Sequence, residues 1–501
     1  MIPLRNRQTK KLILRNQETA AIHLESQSPL SVAGFDISGN PSKVVQILEV
    51  MNSRGQAGAM SLVDGRINVG SSTQVIDNSV DKNIYMKDVY VKGGGELIAI
   101  PVGNSQLIAA SSSWKMISEY SYTGENSIGY IYGLSTTDPD NTEFTNKEFI
   151  RTSTASPDST ETIIRRHVWD DRTFPSFQDS DVVDASEHGV MSGTNVTADL
   201  QALLNNHGKV FLPGGEYMTS ETISLGADDV LLGVAKNFSL LSADDINWPG
   251  DDSSKPLIRT VDDDAATTTV ANIFLEQNPN KKGASFVHWR AGRNSVYRDN
   301  FFGIDRDKAA TPGEGAAAAV RISGLGGGRW YGLAGEWTPN QKYTTDSEYR
   351  GLRVEGTKQD LAFYGLNVER VQSQSQYNYQ IEIGPDPISK EKPENIRIYY
   401  LKGESFVPEL DTDNEPTGKF TPGPGPGNIH VDSAKNFGCF AFSGNSQPAE
   451  SQFSIDGVTK YTIANIGGVK HDQAYDLIRE NGNKLISTPF SGSIVKRGSL
   501  N

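Results

Sequence analysis

The chain has 501 residues, with 47 Lys and Arg against 61 Asp and Glu and a formal net charge of -14 at pH 7. That balance argues against nucleic acid and anionic membrane surfaces as partners, since both reward basic patches. For a glycan it tilts toward a neutral or cationic polymer, a tilt that a local basic groove would overrule. The single cysteine, Cys439 in FGCFAF, excludes an intrachain disulfide framework and reads as buried filler. No apolar run approaches the ~18 residues that would suggest a membrane span.

From the amino terminus, KLILRN, SVAGFDIS, VVQILEV, AMSLVDG, NIYMKDVYV and ELIAIPV recur as short strands with Asn, Asp or Gly between them. Residues 1–110 therefore read as a first β-helical segment. Arg5, Arg7, Lys10 and Lys11 lead into no hydrophobic signal region, and no capping helix precedes Lys10. Either a preceding portion is missing or the first coil is covered in a way the sequence does not reveal. Over 111–181 the periodicity fades into Ser, Thr, Asp and aromatics. We read this as a long connection, with Trp169, Phe174 and Phe177 packing it down.

The third segment, 182–501, opens on a predicted helix. Val196, Leu200, Leu203 and Leu204 fall at i, i+4, i+7 and i+8, one apolar stripe; Thr194 or Asn195 can cap its start and Gly208 can end it. KVFL, then the break PGG, then Thr222–Leu225 and Val230–Val234 follow as strands. Further strands recur to near the carboxyl terminus, with Asn395 and Asn428 as corner residues. Two insertions interrupt them, Gly384–Glu394 and Val407–Gly427, and long loops on a rigid scaffold are where binding and catalysis collect.

The stretch TADLQALL, GKVFLPGGEY and DDVLLGV resembles the opening of pectate-lyase-like right-handed β-helix carbohydrate enzymes. The resemblance implies an all-β chain of two tandem right-handed parallel β-helices, or solenoids, the helix covering the open edge of the second. YGLNVERVQSQSQYNYQIEI followed by NIRIYYLKGES is similar to glycoside hydrolase family 55, exo-β-1,3-glucanases of the laminarinase type. That resemblance implies Glu404 as general acid and Glu369 as a charged or water-orienting neighbour. It also implies inversion of configuration and a glucan end bound between two β-helices. The chain departs from the family pattern at Arg370 and at Lys402-Gly403.

Carboxylates are expected on chemical grounds as well. Inverting hydrolysis uses a protonated acid and a base ~6.5 to 9.5 Å apart, and carboxylates one to two coils apart on ~4.8 Å rungs can reach that spacing. Glu355, Glu369, Glu382 and Glu404 lie on successive or near-successive coils, and Glu404, Glu369 and Glu382 are the candidate catalytic residues. Each also reads as a solvated surface acid, and Lys402 could neutralise Glu404 as an ion pair.

His288, Trp289, Arg290 and Arg293 in HWRAGR, with Trp330, Tyr331 and Trp337 in RWYGLAGEW, are the candidate substrate-binding residues. Rings stack on pyranose faces and guanidiniums bind hydroxyls or carboxylates. An Arg-aromatic packing cluster between coils is the competing reading. GGG at 326–328 lacks a following helix and is no phosphate loop. Asp411, Asp413 and Glu415 alternate like calcium ligands but lack the EF-hand Gly and Glu, so no metal and no cofactor are expected.

Three functions are compatible with these signals. The leading one is an extracellular or periplasmic, monomeric glycoside hydrolase acting on a neutral β-glucan such as β-1,3-glucan. The others are a polysaccharide lyase using His288, Arg290, Arg293 and Lys402 on a uronate chain, and a tailspike-like protein that binds glycan without turnover.

Overall fold

In the computed structural model the described residues are 9–24, 30–48, 60–80, 84–94, 96–99, 112–122, 133–135, 143–145, 149–167, 174–244, 248, 255–277, 284–304, 319–336, 350–369 and 379–404, with short strands and single positions between 407 and 488. Over these residues the chain is mostly β, and its sheets are predominantly parallel.

The amino-terminal part alternates between two parallel sheets. Thr9–Arg15, Leu30–Gly39, Met60–Val69 and Ile84–Lys92 stack in one, and Ala20–Leu24, Lys43–Ile47, Gln74–Asp77 and Glu96–Ala99 in the other. Pairing is in register, so like residues repeat down each column: Val32, Leu62 and Met86 in the first sheet, Ile22, Val45 and Ile76 in the second. All are buried, and with Phe35 and Val89 they form one core. The stretch that the sequence suggests is a connection contributes to this sheet. Lys115–Tyr122 pairs antiparallel with Ile84–Lys92, and Phe149–Ser153 pairs antiparallel with Lys115–Tyr122. Ile117 and Tyr120 bury in the core, which gives the apolar residues of this segment their partners.

The helix Thr197–His207 follows expectation. Leu200, Leu203 and Leu204 are buried, Asn195 Oδ1 accepts from the Thr197 N–H at 3.1 Å, and Gly208 closes the helix in the left-handed region at φ 69°. Its Gln201 has a role the apolar stripe does not announce. The side-chain amide accepts from Ser224 N–H at 2.8 Å and donates to Ser224 C=O at 3.0 Å. Ile223–Leu225 is the edge strand of its sheet, so the amide stands in for a preceding strand and satisfies an otherwise open edge.

Beyond the helix, three strands recur per repeat, each pairing in parallel with its counterpart in the next. One column runs Val210, Leu231, Val270, Tyr297, Trp330, Phe363 and Ile398, every side chain at most 1% exposed. A second runs Tyr217, Leu241, Leu275, Phe302, Gly335 and Val368. At Gly335 a Cβ would collide with the Phe302 ring, so the absence of a side chain there makes room for the aromatic one rung earlier.

These columns account for the aromatic candidates. Trp289, Trp330 and Tyr331 are enclosed in the interior, at 0%, 1% and 1% exposure, and the stacking platform expected of the first two is not presented to solvent. Trp330 stacks on Tyr297 at 4.3 Å and meets Trp289 edge-on at 5.1 Å. Both indole N–H groups donate to Gly327 C=O, at 3.1 and 3.3 Å. The glycine run is therefore a packing device: Gly328 sits at φ 93°, and a Cβ there would strike the Ser295 carbonyl.

Tyr331 belongs to a different contact, one that ties the two parts of the chain together. Its hydroxyl, kept protonated by burial, donates to His167 C=O, and His167 Nε2 lies 2.9 Å from Asp64 Oδ2 in the first core's strand Met60–Val69. Tyr331, Tyr364 and Tyr399 stack at 4.8 and 5.2 Å, with His167 edge-on to Tyr364. Arg298 covers the Phe174 ring at 4.2 Å, whereas Phe177 stacks on Phe211 but remains 57% exposed; Trp169 lies outside the described residues.

Replacing Trp330 by Ala should cost about 3 to 5 kcal/mol of unfolding free energy, by the measure of large-to-small changes in packed cores, and Trp330→Phe distinctly less. Urea titration followed by circular dichroism checks this. An unchanged midpoint for Trp330→Ala would show that the ring lies outside a packed interior.

Candidate functional site

The four glutamates singled out from the sequence divide between two sheets. In one, the backbone register aligns Glu276, Gly303, Glu336, Glu369 and Glu404 on consecutive rungs. Glu369 and Glu404 are thus immediate neighbours across Leu361–Glu369 and Ile396–Glu404. Glu336 precedes them at the end of Ala334–Glu336. Sequence reasoning placed Glu336 with the aromatic run RWYGLAGEW and not with the stacked glutamates, because the long interval to Glu369 hides their shared register.

Glu382 stands in the other sheet, in a second column of polar residues: Ser224, Arg259, His288, Arg321, Arg353, Glu382 and His430. Its position follows from strict alternation. Ile258, Val287, Val320, Leu352 and Ile381 precede these residues and are buried, Thr260, Trp289, Ile322, Val354 and Ile383 follow them and are buried, and the charged residue between faces outward. Arg259, Arg321 and Arg353 are functional candidates that the sequence reading passed over. The signal was present as LIRT, VHW, VRI, LRV, IEI and IHV, an apolar-polar-apolar triplet returning roughly every 30 residues over most of the stretch.

Glu355 organises the column. Its side chain is 2% exposed, and its carboxylate accepts from Arg321 Nε at 2.7 Å and Nη2 at 2.6 Å, and from Arg353 Nε on the other oxygen. Arg353 Nε also lies 3.7 Å from Glu382 Oε2. A buried carboxylate with two guanidiniums is a compensated charge, and the clamp orients both arginines. Arg321 nevertheless keeps 39% of its side chain exposed.

His288 Nε2 lies 2.7 Å from Ser323 Oγ. Burial, reinforced by Arg321, Arg290 and Arg259, holds the His288 pKa down to about 4, against a smaller opposing pull from Asp262. The ring is therefore neutral at pH 7. Arg290 pairs with Asp262, whose Oδ1 also accepts from Leu325 N–H at 2.9 Å, and Arg290 Nε is buried with no hydrogen-bond partner among the described residues. Arg293 is exposed on the turn after this strand, and Trp337 lies outside the described residues. Of the HWRAGR group, His288 and Arg290 join the polar column while Trp289 anchors the strand from within.

No family model matches this chain, and no curated protein does. Among solved structures it is similar to sacteLam55A from Streptomyces sp. SirexAA-E, at 12% identity and a TM-score of 0.37 over 87% of this chain and 81% of that one. A variant of the same protein in complex with glucose gives 11% and 0.35 over 85% and 78%. ORF18 of Geobacillus virus E2 gives 10% and 0.23 over 71% and 81%. Identities and TM-scores this low carry no argument about chemistry.

The depressed His288 pKa has a stability consequence. Between about pH 4 and the ordinary value of 6.5 the unfolded chain binds a proton at this position that the folded chain excludes. The stabilisation is therefore full above pH 6.5 and is lost as pH falls toward 4. His288→Asn should flatten the pH dependence of unfolding in that window by up to one proton, about 1.4 kcal/mol per pH unit. Urea titrations at half-unit steps test it; identical slopes for both proteins would show that His288 titrates normally.

Proposed function

We propose that this chain is a carbohydrate-active enzyme, a glycoside hydrolase whose parallel sheets close into two tandem right-handed β-helices, acting outside the cell or in the periplasm. The observation that carries the reading is the register of Glu336, Glu369 and Glu404 on three consecutive rungs. Adjacent rungs lie ~4.8 Å apart, so the outer two backbone positions are separated by ~9.6 Å, next to the ~9.5 Å upper limit of the acid-base spacing of inverting glycosidases.

In this reading Glu404 is the general acid. A general acid must stay protonated at neutral pH, and a like charge on the neighbouring rung is one means of raising a carboxyl pKa. Glu404 gives its proton to the leaving glycosidic oxygen. Glu336 takes a proton from the water that attacks the anomeric carbon on the opposite side, and Glu369 sustains the protonated state of Glu404 and orients the water. The first polymer to test is a β-1,3-glucan.

Glu404→Gln should lower sugar release from laminarin by at least about 1000-fold with the unfolding midpoint unchanged, since an amide cannot deliver the proton. Glu336→Gln should be nearly as damaging and should be rescued in part by added azide, whereas Glu404→Gln should not with an unactivated glycoside. Reducing-end assays and mass spectrometry of the products read both. A fully active Glu404→Gln protein would end the assignment. Products with an absorbance near 230 nm would assign the reaction to elimination.

A further inference from the structure

The polar column on the second sheet has an electrostatic cost that packing does not explain. Arg259, His288, Arg321 and Arg353 occupy four consecutive in-register positions, and like charges directly opposite on neighbouring strands are destabilising. A protein of net charge -14 has ample acidic residues with which to interleave them, yet places four basic types in a row. With Arg290 beside them, four guanidiniums stand against Asp262, Glu355 and Asp386, which interacts with Arg321, and Glu382 comes only at the column's end. No carboxylate among the described residues pairs with exposed Arg259.

The arginines are also arranged for use. Glu355 holds Arg321 and Arg353 from beneath by hydrogen bonds, which removes much of the conformational freedom a ligand would otherwise have to freeze out. The Ser323 hydroxyl at 2.7 Å from His288 adds a polar group alongside, and the unpartnered Arg290 Nε lies next to Gly324, where a Cβ would come within 3.2 Å of it.

We propose that this column is a binding surface for an anionic glycan, a polymer bearing carboxylate or sulfate groups, laid along the stacking direction so that its charged sugars meet Arg259, Arg321 and Arg353, with His288 on the rung between the first two. One sugar residue is close to one rung in length, so a linear polymer keeps step with the strands in a way a single small anion does not. His288 is held neutral chiefly by burial, and the neighbouring Arg321, Arg290 and Arg259 add to that effect. The neutral ring leaves a hydrogen-bonding group in the row without adding a fifth charge. The inference stands apart from the hydrolase reading, since the column shares no residue with Glu336, Glu369 and Glu404.

The test is binding of the full chain to polygalacturonate, to a sulfated galactan, to the same galactan after desulfation and to inorganic sulfate, by isothermal titration at several salt concentrations. One or both charged polymers should bind, the neutral one should bind at least tenfold more weakly, and added salt should weaken the charged complex. Arg259→Gln, at an exposed position, should weaken it about tenfold and lower the slope of log affinity against log salt by about one. Arg321→Gln should do the same; because it leaves Glu355 with Arg353 alone, its unfolding midpoint is measured alongside, and Arg259→Gln decides if it misfolds. Glu404→Gln should bind like the parent, so loss of hydrolysis and loss of binding are separate results. Equal affinity for the desulfated galactan, unchanged binding by Arg259→Gln, or binding of free sulfate without either polymer would each overturn the proposal.

Discussion

In-register parallel pairing is the constraint on which the rest of this molecule depends. Each strand lies directly against its counterpart one repeat away, so a residue's environment is set chiefly by the residues above and below it in the same column. An apolar column builds a core without long-range coincidence of sequence, as from Val210 to Ile398. A column that admits one oversized ring must make room on an adjacent rung, as Gly335 does for Phe302. A charged column concentrates one kind of chemistry along a line. The same geometry that stabilises an aliphatic ladder sets Arg259, His288, Arg321 and Arg353 in one column and Glu336, Glu369 and Glu404 in another.

Two consequences of stacking are handled by side chains that break the pattern. A parallel ladder leaves a strand edge open at its start, and Gln201 closes part of it by presenting an amide to the Ser224 backbone. The two sets of sheets must also be held together, and the contact falls where ladder and connection meet. His167 is bonded to Asp64 in the first core and receives Tyr331 from the second, inside a stack of Tyr364 and Tyr399. Buried polar groups satisfied on both sides specify a docking geometry more sharply than apolar contact alone.

Much of this was legible from local pattern. The helix 197–207, its Gly208 terminus and the strands Lys209–Leu212, Ile223–Leu225 and Val230–Gly233 follow from periodicity and turn chemistry, since both are properties of neighbouring residues, whereas Gly215–Thr219 takes the PGG break into a strand that local pattern does not announce. Trp289 and Trp330 left two readings open, a sugar platform and a packing cluster, for a physical reason. Trp289 and Trp330 each stand next to an arginine, and Trp beside Arg describes a sugar platform and a core-facing strand equally well until alternation is assigned. One residue of phase decides between them: in VHWR the buried positions are Val287 and Trp289, which sends His288 and Arg290 outward.

By itself, then, the sequence determined that the chain is mostly β, where many of its short strands run and where the helix at 197–207 interrupts them, but not the helix Thr160–Arg166 within the stretch read as a connection. Which residues share a column was decided only by the tertiary structure. Intervals between counterpart strands differ from repeat to repeat, so the register that sets Glu336 beside Glu369 and Arg321 beside Arg353 is fixed by backbone pairing between repeats rather than by any constant spacing along the chain.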